Sequence, residues 1–285
     1  RNTISIIDLF SGTNYYYAAL IFVFFHKLLK IKYILVLRGG NIPNRIKNNR
    51  RSINYLFKDS LYIISPSSWF EELIQLELGT KNVVVIPNGI FCENYSKCDL
   101  RNIKNILFLR SFHRIYDPLT LIEAVGIVSE EISNIKLTII GFDGKDGTYT
   151  DCVKKIKELG LNEIIKIEGP IEKDDIPLLA DEHALYINCS IVDNTPVSTI
   201  EAMAMGMCII GTNVGGIPFL LDKDVDSIII EPKDSNLLAK AIIRIITDKK
   251  LSDKLSNHAY RSSKRFDWHN VINEWENLFN EIKFK

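Results

Sequence analysis

The sequence has no net charge and no apolar run long enough to cross a bilayer. Lysine plus arginine and aspartate plus glutamate each number 35 of the 285 residues. This balance argues against a dedicated nucleic-acid binder, which usually has a basic excess. The most apolar run near the start, residues 15–25, is shorter than the ~20 residues of a membrane-spanning helix. We interpret it as a buried helix, with a helix that dips into a membrane as the alternative.

Cysteine is also scarce. Of the five cysteines, only Cys92 and Cys98 lie near each other, and no histidine stands beside them at the spacing of a metal site. The simplest interpretation is a set of reduced thiols in a cytoplasmic protein. Internal repeats and low-complexity tracts are absent from the sequence. The composition is that of a soluble globular protein, and the length suffices for two domains.

What the sequence does contain is an alternation of short β-branched runs with amphipathic stretches. Runs such as "YILVL", "NVVVI", "KLTII" and "MCIIG" are continuously apolar, which is typical of parallel strands covered by helices on both faces. Four such runs precede a polar stretch at residues 91–105, which we interpret as a linker, and six follow it. The pattern predicts an α/β fold of two Rossmann-like, doubly wound domains that face a cleft. Ligands of such domains bind beyond the carboxyl ends of the strands.

The stretch "DNTPVSTIEAMAMGMCIIGTNVGG" (Asp193–Gly216) follows one of these strands, "ALYINCS". Thr195 suits the N-cap of a helix, Pro196 suits its first position, and Gly206 suits its end. A helix that begins just after a strand offers free N–H groups and a positive dipole end to an anion. The stretch therefore predicts a phosphate or diphosphate site.

Two acids, Asp193 and Glu201, bracket the start of this helix. A carboxylate beside a phosphate would repel it, whereas a carboxylate accepts two hydrogen bonds from a vicinal diol. We therefore expect the two acids to bracket a diphosphate, one facing a ribose and the other facing either the transferred sugar or the backbone of the phosphate loop. On spacing alone the alternative is favoured, in which Asp193 caps a turn and Glu201 is a solvated helix residue.

Three other turns follow predicted strands. Arg110 and Arg114 come after "ILFL", where guanidinium groups can neutralise a diphosphate leaving group. The turn "GFDG" (Gly141–Gly144) contains glycines that allow a ligand to approach closely. In "EGPI" (Glu168–Ile171), the isoleucine can pack against a base. Ordinary surface arginines and simple turns explain the same residues about equally well.

Together these segments resemble the family-4 glycosyltransferases, which have the GT-B fold. The donor-site signature of that family is a Glu, seven residues and then an "EAMA" run that ends in paired glycines, similar to residues 193–216 here. The segments "VVVIPNGI", "SPSSWFEEL", "FLRSFHRIYDPLTLIEA" and "FDWHNVINEWENLF" also resemble family segments, so the resemblance covers nearly the whole chain. It implies a first domain at residues 1–97, a second at 98–267 and a C-terminal helix at 268–285 that crosses back to the first.

The resemblance implies that the second domain binds a sugar nucleotide and transfers the sugar with retention, without a metal or other cofactor. Glu201 would hold the ribose, Asp193 would lie near the transferred sugar, and Arg110 would help backbone amides hold the diphosphate. These three residues form the implied catalytic set, and no side-chain nucleophile is implied. The implied donor-binding residues are Arg114, Gly141, Phe142, Gly169, Ile171, Asn194, Thr195, Pro196 and Val197.

The sequence departs from the family pattern in the second domain and at its start. Asp193 replaces the usual Glu, which shortens the side chain by one methylene. Arg114 stands one place before the expected basic residue, and Tyr116 stands where a Gly would follow. The family's first strand and glycine-rich loop are missing, so we expect either a fragment or an unusually short protein whose first domain is truncated.

The acceptor side also differs. Where the family has a cleft-facing histidine, this sequence has Arg38 followed by Gly39 and Gly40. An arginine cannot act as a general acid at neutral pH, but it can bind an acceptor phosphate or carboxylate. From Arg38 to Lys58 there are six basic residues and no acidic one. Each adds about 1 kcal/mol near an anionic leaflet, which predicts peripheral contact with the cytoplasmic membrane face, and a solvated basic segment is the alternative.

The sequence thus predicts a retaining glycosyltransferase. It would move a sugar from a nucleotide diphosphate to a glycan or lipid-linked acceptor in cell-surface polysaccharide synthesis. A catalytically silent GT-B-like binding protein is the alternative, which the missing strands and Arg38 favour. A sugar-nucleotide epimerase of similar fold agrees less well with the "EAMA" window.

Overall fold

A computed structural model describes residues 4–9, 13–38 and 42–283. Gly39 and Gly40, which we assigned to the acceptor side, lie outside these ranges. The chain divides into two compact units, one of Arg1–Asn88 with Glu274–Lys285 and the other of Gly89–Asn273. Residues 89–97, which we assigned to the first domain, pack with the second unit because Cys92 and Tyr95 are buried in its core.

The first unit contains a parallel sheet with the strand order β1–β2–β3–β4. Helices connect successive strands and cover the sheet, as the apolar runs require. In chain order the elements are β1 (Ile4–Leu9), α1 (Thr13–Leu28), β2 (Lys32–Leu37), α2 (Ile42–Phe57), β3 (Ile63–Ser65), α3 (Ser68–Leu78) and β4 (Val83–Val85).

Two helices of this unit differ from the sequence interpretation. In α1, Tyr16 and Val23 are buried, but Phe24 and Leu28 are exposed, so only one face of this helix is covered by the described residues. The prediction of a buried helix is therefore only half right. The basic segment after β2 forms α2, which has non-helical backbone angles at Asn49. No helix within the described ranges is both long enough and apolar enough to cross a bilayer.

The second unit contains a parallel sheet with the strand order β10–β9–β8–β5–β6–β7. The first five strands of this unit and their helices are β5 (Asn105–Leu109), α4 (Pro118–Glu131), β6 (Lys136–Ile140), α5 (Thr148–Glu158), β7 (Ile165–Glu168), β8 (Leu185–Asn188), α6 (Val197–Ala204) and β9 (Cys208–Thr212). The chain continues with α7 (Ile217–Leu220), β10 (Ile228–Ile230), α8 (Ser235–Thr247), α9 (Lys249–Ser262) and α10 (Trp268–Lys283). Between β7 and β8, Lys173–Asp181 form a 3₁₀ helix with Pro177 inside it.

Both sheets confirm the prediction of parallel α/β units. In the second unit, the chain moves from β5 outward through β6 and β7, then returns to place β8 on the other side of β5. This is the 3-2-1-4-5-6 order of the doubly wound fold. The order reverses between β5 and β8, where Leu107 pairs with Tyr186. Buried apolar clusters lie around this sheet, with Phe108 in one and Tyr186 in the other.

Candidate functional site

The reversal of strand order in the second unit creates a crevice between the segments that follow β5 and β8. In doubly wound sheets, ligands bind at such a switch point, outside the carboxyl ends of the strands. The two segments are joined by a hydrogen bond from the backbone N–H of Ile191 to the carbonyl of Ile115, at 2.8 Å. Most of the residues predicted from the sequence lie in or next to these segments.

Arg110 and Asp193 form a buried ion pair across this crevice. Arg110 Nη2 donates to Asp193 Oδ2 at 2.7 Å, and the two side chains are only 14% and 11% exposed. The guanidinium lies over the Tyr116 ring, 3.9 Å from its centroid. Burial lowers the pKa of Arg110, but the Asp193 charge, the nearby Tyr116 and Tyr186 hydroxyls and the hydrogen bond to Asp193 together outweigh burial and leave the pKa raised. Tyr116, which stands where the family pattern has Gly, thus supports Arg110.

The Asp193 carboxylate is also held by its own loop. Its Oδ2 atom accepts a hydrogen bond from Ser190 Oγ at 3.1 Å, and its Oδ1 atom accepts one from the Asn194 backbone N–H at 3.0 Å. Arg110 Nε, by contrast, is buried and has no hydrogen-bond partner among the described residues. A buried donor without a partner costs about 1–3 kcal/mol, and a bound anion would satisfy it.

Helix α6 begins one residue later than the sequence predicted. Pro196 is the N-cap, in an extended conformation with no side-chain capping hydrogen bond, and Val197 is the first helical residue. The prediction of Thr195 as N-cap is therefore wrong, because the backbone of Pro196 has not yet entered the helix. The N–H groups of Val197 and Ser198 belong to the first turn and have no intrahelical acceptor. They offer the predicted anion site without competition from a capping side chain.

Gly216, the second of the paired glycines after β9, packs directly on this loop. A Cβ atom at Gly216 would lie 2.3 Å from the carbonyl oxygen of Asn194. The Gly216 N–H donates to the carbonyl of Asp193 at 3.2 Å. Only a glycine allows this approach, so Gly216 fixes the position of the loop that carries Asp193, Asn194 and Thr195. All three of these residues are buried.

Glu201 lies in the second turn of α6 and is only 3% exposed, which contradicts the alternative of a solvated helix residue. Its Oε1 atom accepts a hydrogen bond from the hydroxyl of Tyr95 at 3.1 Å. Burial raises the pKa of Glu201, while the Tyr95 hydrogen bond and the charge of Lys173 oppose that rise. Sequence patterns did not identify Tyr95 or Lys173, because neither lies in a periodic segment or beside a glycine turn.

Arg114 is 72% exposed and is held on the surface by Asp146. Its Nε atom and its backbone N–H donate to Asp146 Oδ2 at 3.2 and 2.9 Å. Burial raises the pKa of Asp146, but hydrogen bonds from Arg114 and Thr148 outweigh burial and hold the pKa well below its usual range. Arg114 is therefore positioned by Asp146, whereas Arg110 is positioned by Asp193.

The remaining predicted donor-side residues follow β6 and β7. A Cβ atom at Gly141 would lie 2.2 Å from the Arg110 carbonyl oxygen, so this glycine is required by packing between two strand ends. Phe142 is 62% exposed. A Cβ atom at Gly169 would meet nothing within 4 Å, and Ile171 packs partly against the core. Packing therefore explains Gly141 without a ligand, and Phe142 and Gly169 remain open to solvent.

Arg38 follows β2 in the first unit. Its Nε atom donates to Asp8 Oδ1 and its Nη1 atom donates to Asn88 Oδ1, both at 3.2 Å. The guanidinium thus lies at the carboxyl ends of β1 and β2, next to a carboxylate of the same sheet. The structure also places no group of three or more His, Cys, Asp or Glu side chains at metal-binding distances within the residues it describes.

Comparisons with known proteins identify the family. The model of the family described as glycosyl transferases group 1 matches residues 101–262, more than half of the chain. The chain is 25% identical over 234 residues to the amylovoran biosynthesis glycosyltransferase AmsK of Erwinia amylovora, covering 77% of this chain and 56% of the relative. It is 23% identical over 235 residues to the lipopolysaccharide 1,2-N-acetylglucosaminetransferase of Salmonella typhimurium, covering 75% and 60%. The chain therefore spans under two thirds of the length of these relatives.

Solved structures show the same fold. The crystal structure of Anabaena Alr3699/HepE in complex with UDP-glucose aligns with a TM-score of 0.82 at 19% identity, covering 93% of this chain and 77% of that one. Sucrose-phosphate synthase from Thermosynechococcus elongatus aligns with a TM-score of 0.82 at 15% identity, covering 98% and 73%. These alignments confirm the predicted GT-B fold. Together with the family model, they show that the chain belongs to the glycosyl transferases group 1.

Proposed function

We propose that this chain is a retaining glycosyltransferase of family 4 that uses a nucleotide diphosphate sugar as donor. The observation that carries the proposal is the buried Arg110–Asp193 pair beside the uncapped start of α6, at the switch point of a doubly wound sheet. The Arg110 Nε donor and the first N–H groups of α6 can bind an anion. The buried Glu201 carboxylate lies one helical turn further along α6. A nucleoside diphosphate has the matching groups, a diphosphate and a ribose diol.

In the proposed complex, the diphosphate lies against the N–H groups of Val197 and Ser198 and accepts a hydrogen bond from Arg110 Nε. Glu201 then accepts hydrogen bonds from the two ribose hydroxyls. The base lies towards Ile171 and the exposed ring of Phe142. The Anabaena protein, whose structures contain UDP and UDP-glucose, supports a uridine nucleotide as the first donor to test.

Chemistry at this site follows from the charge that develops on the leaving group. The bond between the anomeric carbon and the diphosphate oxygen breaks, and its electron pair leaves with the diphosphate. An acceptor hydroxyl forms a bond to the same carbon from the same face, and its proton passes to the departing diphosphate oxygen. Arg110 and the positive end of the α6 dipole stabilise the departing diphosphate. Asp193 lies near the transferred sugar and holds Arg110 in place. We expect donor binding to persist in the presence of a chelator, because protein groups supply the positive charge.

We further propose that the acceptor is a glycan or a lipid-linked sugar in surface polysaccharide synthesis. The names of the relatives involved in amylovoran and lipopolysaccharide synthesis support this class. Helix α2 and the residue after it expose Lys47, Arg50, Arg51 and Lys58, which supports contact with the anionic cytoplasmic face of a membrane. Sedimentation with vesicles tests this contact, and equal binding to neutral and anionic lipid would refute it.

Calorimetric titration with UDP-glucose and a panel of other nucleotide sugars tests the donor site. Glu201→Ala should abolish donor binding, whereas Glu131→Ala, which changes an exposed acid at the end of α4, should not alter it. Unchanged donor affinity in Glu201→Ala would refute the assignment of the ribose site. With an acceptor, NMR of the product should show retention at the anomeric carbon. Donor binding without any release of nucleoside diphosphate would instead favour a catalytically silent binding protein.

A further inference from the structure

Tyr95 contacts Glu201 from the segment that the sequence predicts to be a linker, residues 91–105. Its hydroxyl donates to Glu201 Oε1 at 3.1 Å, and both side chains are buried. We propose that Tyr95 is a positioning residue that holds the Glu201 carboxylate in one orientation and keeps it ionised, so that it can accept two hydroxyl groups of the donor. This inference rests on the proposed function, because it assigns a ribose to Glu201.

The backbone around Tyr95 is tied to the second unit at several points. The N–H of Tyr95 donates to the carbonyl of Cys92 at 3.2 Å, which closes the 3₁₀ helix Cys92–Asn94. Just before it, the N–H of Ile90 donates to the carbonyl of Phe266 at 2.9 Å. The Tyr95 ring belongs to the same buried cluster as residues of α6. These contacts therefore fix the position of the Tyr95 hydroxyl relative to Glu201.

Two groups favour the ionised form of Glu201 against the effect of burial. Tyr95 donates a hydrogen bond that the carboxylate accepts more strongly than the neutral acid does. Lys173, which follows β7, contributes a positive charge. Burial and the Glu201 charge raise the pKa of Tyr95 itself, so Tyr95 stays protonated and remains a donor. The nearby Cys92 thiol also raises the pKa of Tyr95. Burial raises the pKa of Cys92 itself to about 11.

Three basic groups on elements packed against α6 are engaged elsewhere. In the 3₁₀ helix Ser263–Phe266, Arg265 donates to the carbonyl of Leu220, and the Lys264 ammonium lies 4.9 Å from the ring centroid of Tyr260. In α9, His258 contacts the carbonyl of Val225 at 3.0 Å. The Tyr95 hydroxyl is the neutral donor that bonds directly to Glu201, so its removal is the cleanest perturbation of that carboxylate.

Tyr95→Phe removes this donor and keeps the ring. We expect the pKa of Glu201, measured in the full chain by carboxyl ¹³C NMR and assigned with Glu201→Gln, to rise by about one unit. Affinity for UDP-glucose should fall about tenfold at a pH below that pKa and should approach the unsubstituted value at higher pH. UDP-glucose is a suitable probe because a diphosphate esterified at both ends carries no proton near neutral pH.

Tyr33→Phe is the matched control, since Tyr33 is also buried and its hydroxyl donates to the carbonyl of Leu56 at 2.9 Å in the first unit. It should leave the pKa of Glu201 unchanged. Tyr95→3-fluorotyrosine retains the packing and makes the hydroxyl a stronger donor, so it should lower that pKa, and it gives an answer even where Tyr95→Phe does not fold.

An unchanged pKa of Glu201 in both Tyr95 variants overturns the inference. So does a raised pKa that leaves the pH dependence of UDP-glucose binding unaltered. If the unsubstituted chain binds neither UDP-glucose nor any other nucleotide sugar, the proposed function fails instead. The NMR titration still decides whether Tyr95 sets the charge state of Glu201, because it needs no ligand.

Discussion

Gly216→Ala is the sharpest single test of the site, because it adds one methyl group at the closest approach between two loops. The new Cβ atom would lie 2.3 Å from the carbonyl oxygen and 2.7 Å from the Oδ1 atom of Asn194. Contacts below 3.0 Å essentially never occur at real Cβ atoms, so the loops must separate by at least 0.7 Å, the difference between 3.0 and 2.3 Å. The nearest obstacle is backbone, which cannot turn aside as a flexible side chain can.

This substitution has two destabilising effects and one that partly offsets them. Overpacking of this kind costs about 1–3 kcal/mol, and loss of the hydrogen bond from Gly216 N–H to the Asp193 carbonyl adds about 1 kcal/mol. Gly216 has φ −85°, which alanine adopts freely. Alanine also lowers the conformational entropy of the unfolded chain, which stabilises the folded state by about 0.4–1 kcal/mol. The net loss is about 1–4 kcal/mol, which lowers Tm by roughly 2–4 °C for each kcal/mol in a unit of this size.

Thermal unfolding followed by circular dichroism measures the stability, and titration with UDP-glucose measures the site. Because Gly216 supports the loop of Asp193, donor affinity should fall about tenfold, in line with the sensitivity of such sites to displacements below 1 Å. Gly126→Ala is the control, since its Cβ would make an ordinary contact, 3.5 Å from Leu159 Cδ1, inside helix α4. If Gly216→Ala keeps the Tm and donor affinity of Gly126→Ala, the steric reasoning is refuted.

Three further perturbations follow from the charges of the second unit. Arg110→Ala leaves the Asp193 carboxylate buried without its partner and should cost about 3–5 kcal/mol in the free energy of unfolding by urea. An unchanged urea midpoint would contradict this. Burial raises the pKa of Glu201, so UDP-glucose affinity should fall as the pH is lowered through that pKa, and Glu201→Gln should remove this dependence in calorimetry. The pKa of Asp146 is lower in the folded state than in the unfolded state. Asp146 therefore stabilises the fold fully at pH values above its unfolded-state pKa, and this stabilisation is lost as the pH falls through its folded-state pKa. Asp146→Asn should therefore flatten the acid limb of the stability curve measured by urea unfolding, and an unchanged acid limb would rule out the hydrogen bonds with Arg114 as its cause.

Most of the fold could be predicted from the sequence. All ten β-branched runs form strands within the described residues, because a strand buried on both faces needs a continuous apolar sequence that polar turns interrupt. The approximate position of α6 was also predictable, since Pro196 and Gly206 mark its ends. The N-cap residue was not predictable, because tertiary contacts determine the backbone torsion that decides between Thr195 and Pro196.

The site was less predictable than the fold. The sequence indicated Arg110, Asp193 and Glu201 as separate groups, but it could not show that the first two are paired, since 83 positions separate them along the chain. Nor could it distinguish a buried Glu201 from a solvated one, because helical spacing allows both. Tyr95 had no signal at all, since its role depends on a turn that places a linker residue against α6.

The pairing changes what the shorter acid at position 193 can do. Its two oxygens already accept hydrogen bonds from Arg110, Ser190 and the Asn194 backbone, so the carboxylate is largely occupied before any sugar arrives. The Arg110 Nε donor is buried and has no partner in the described structure. The Asp193 carboxylate and the Tyr116 ring hold the guanidinium in place. Because the guanidinium is already held in place, it can stabilise a departing diphosphate without a free-energy cost for reorganisation, which makes electrostatic catalysis more effective. The aspartate therefore contributes chiefly through the arginine it holds.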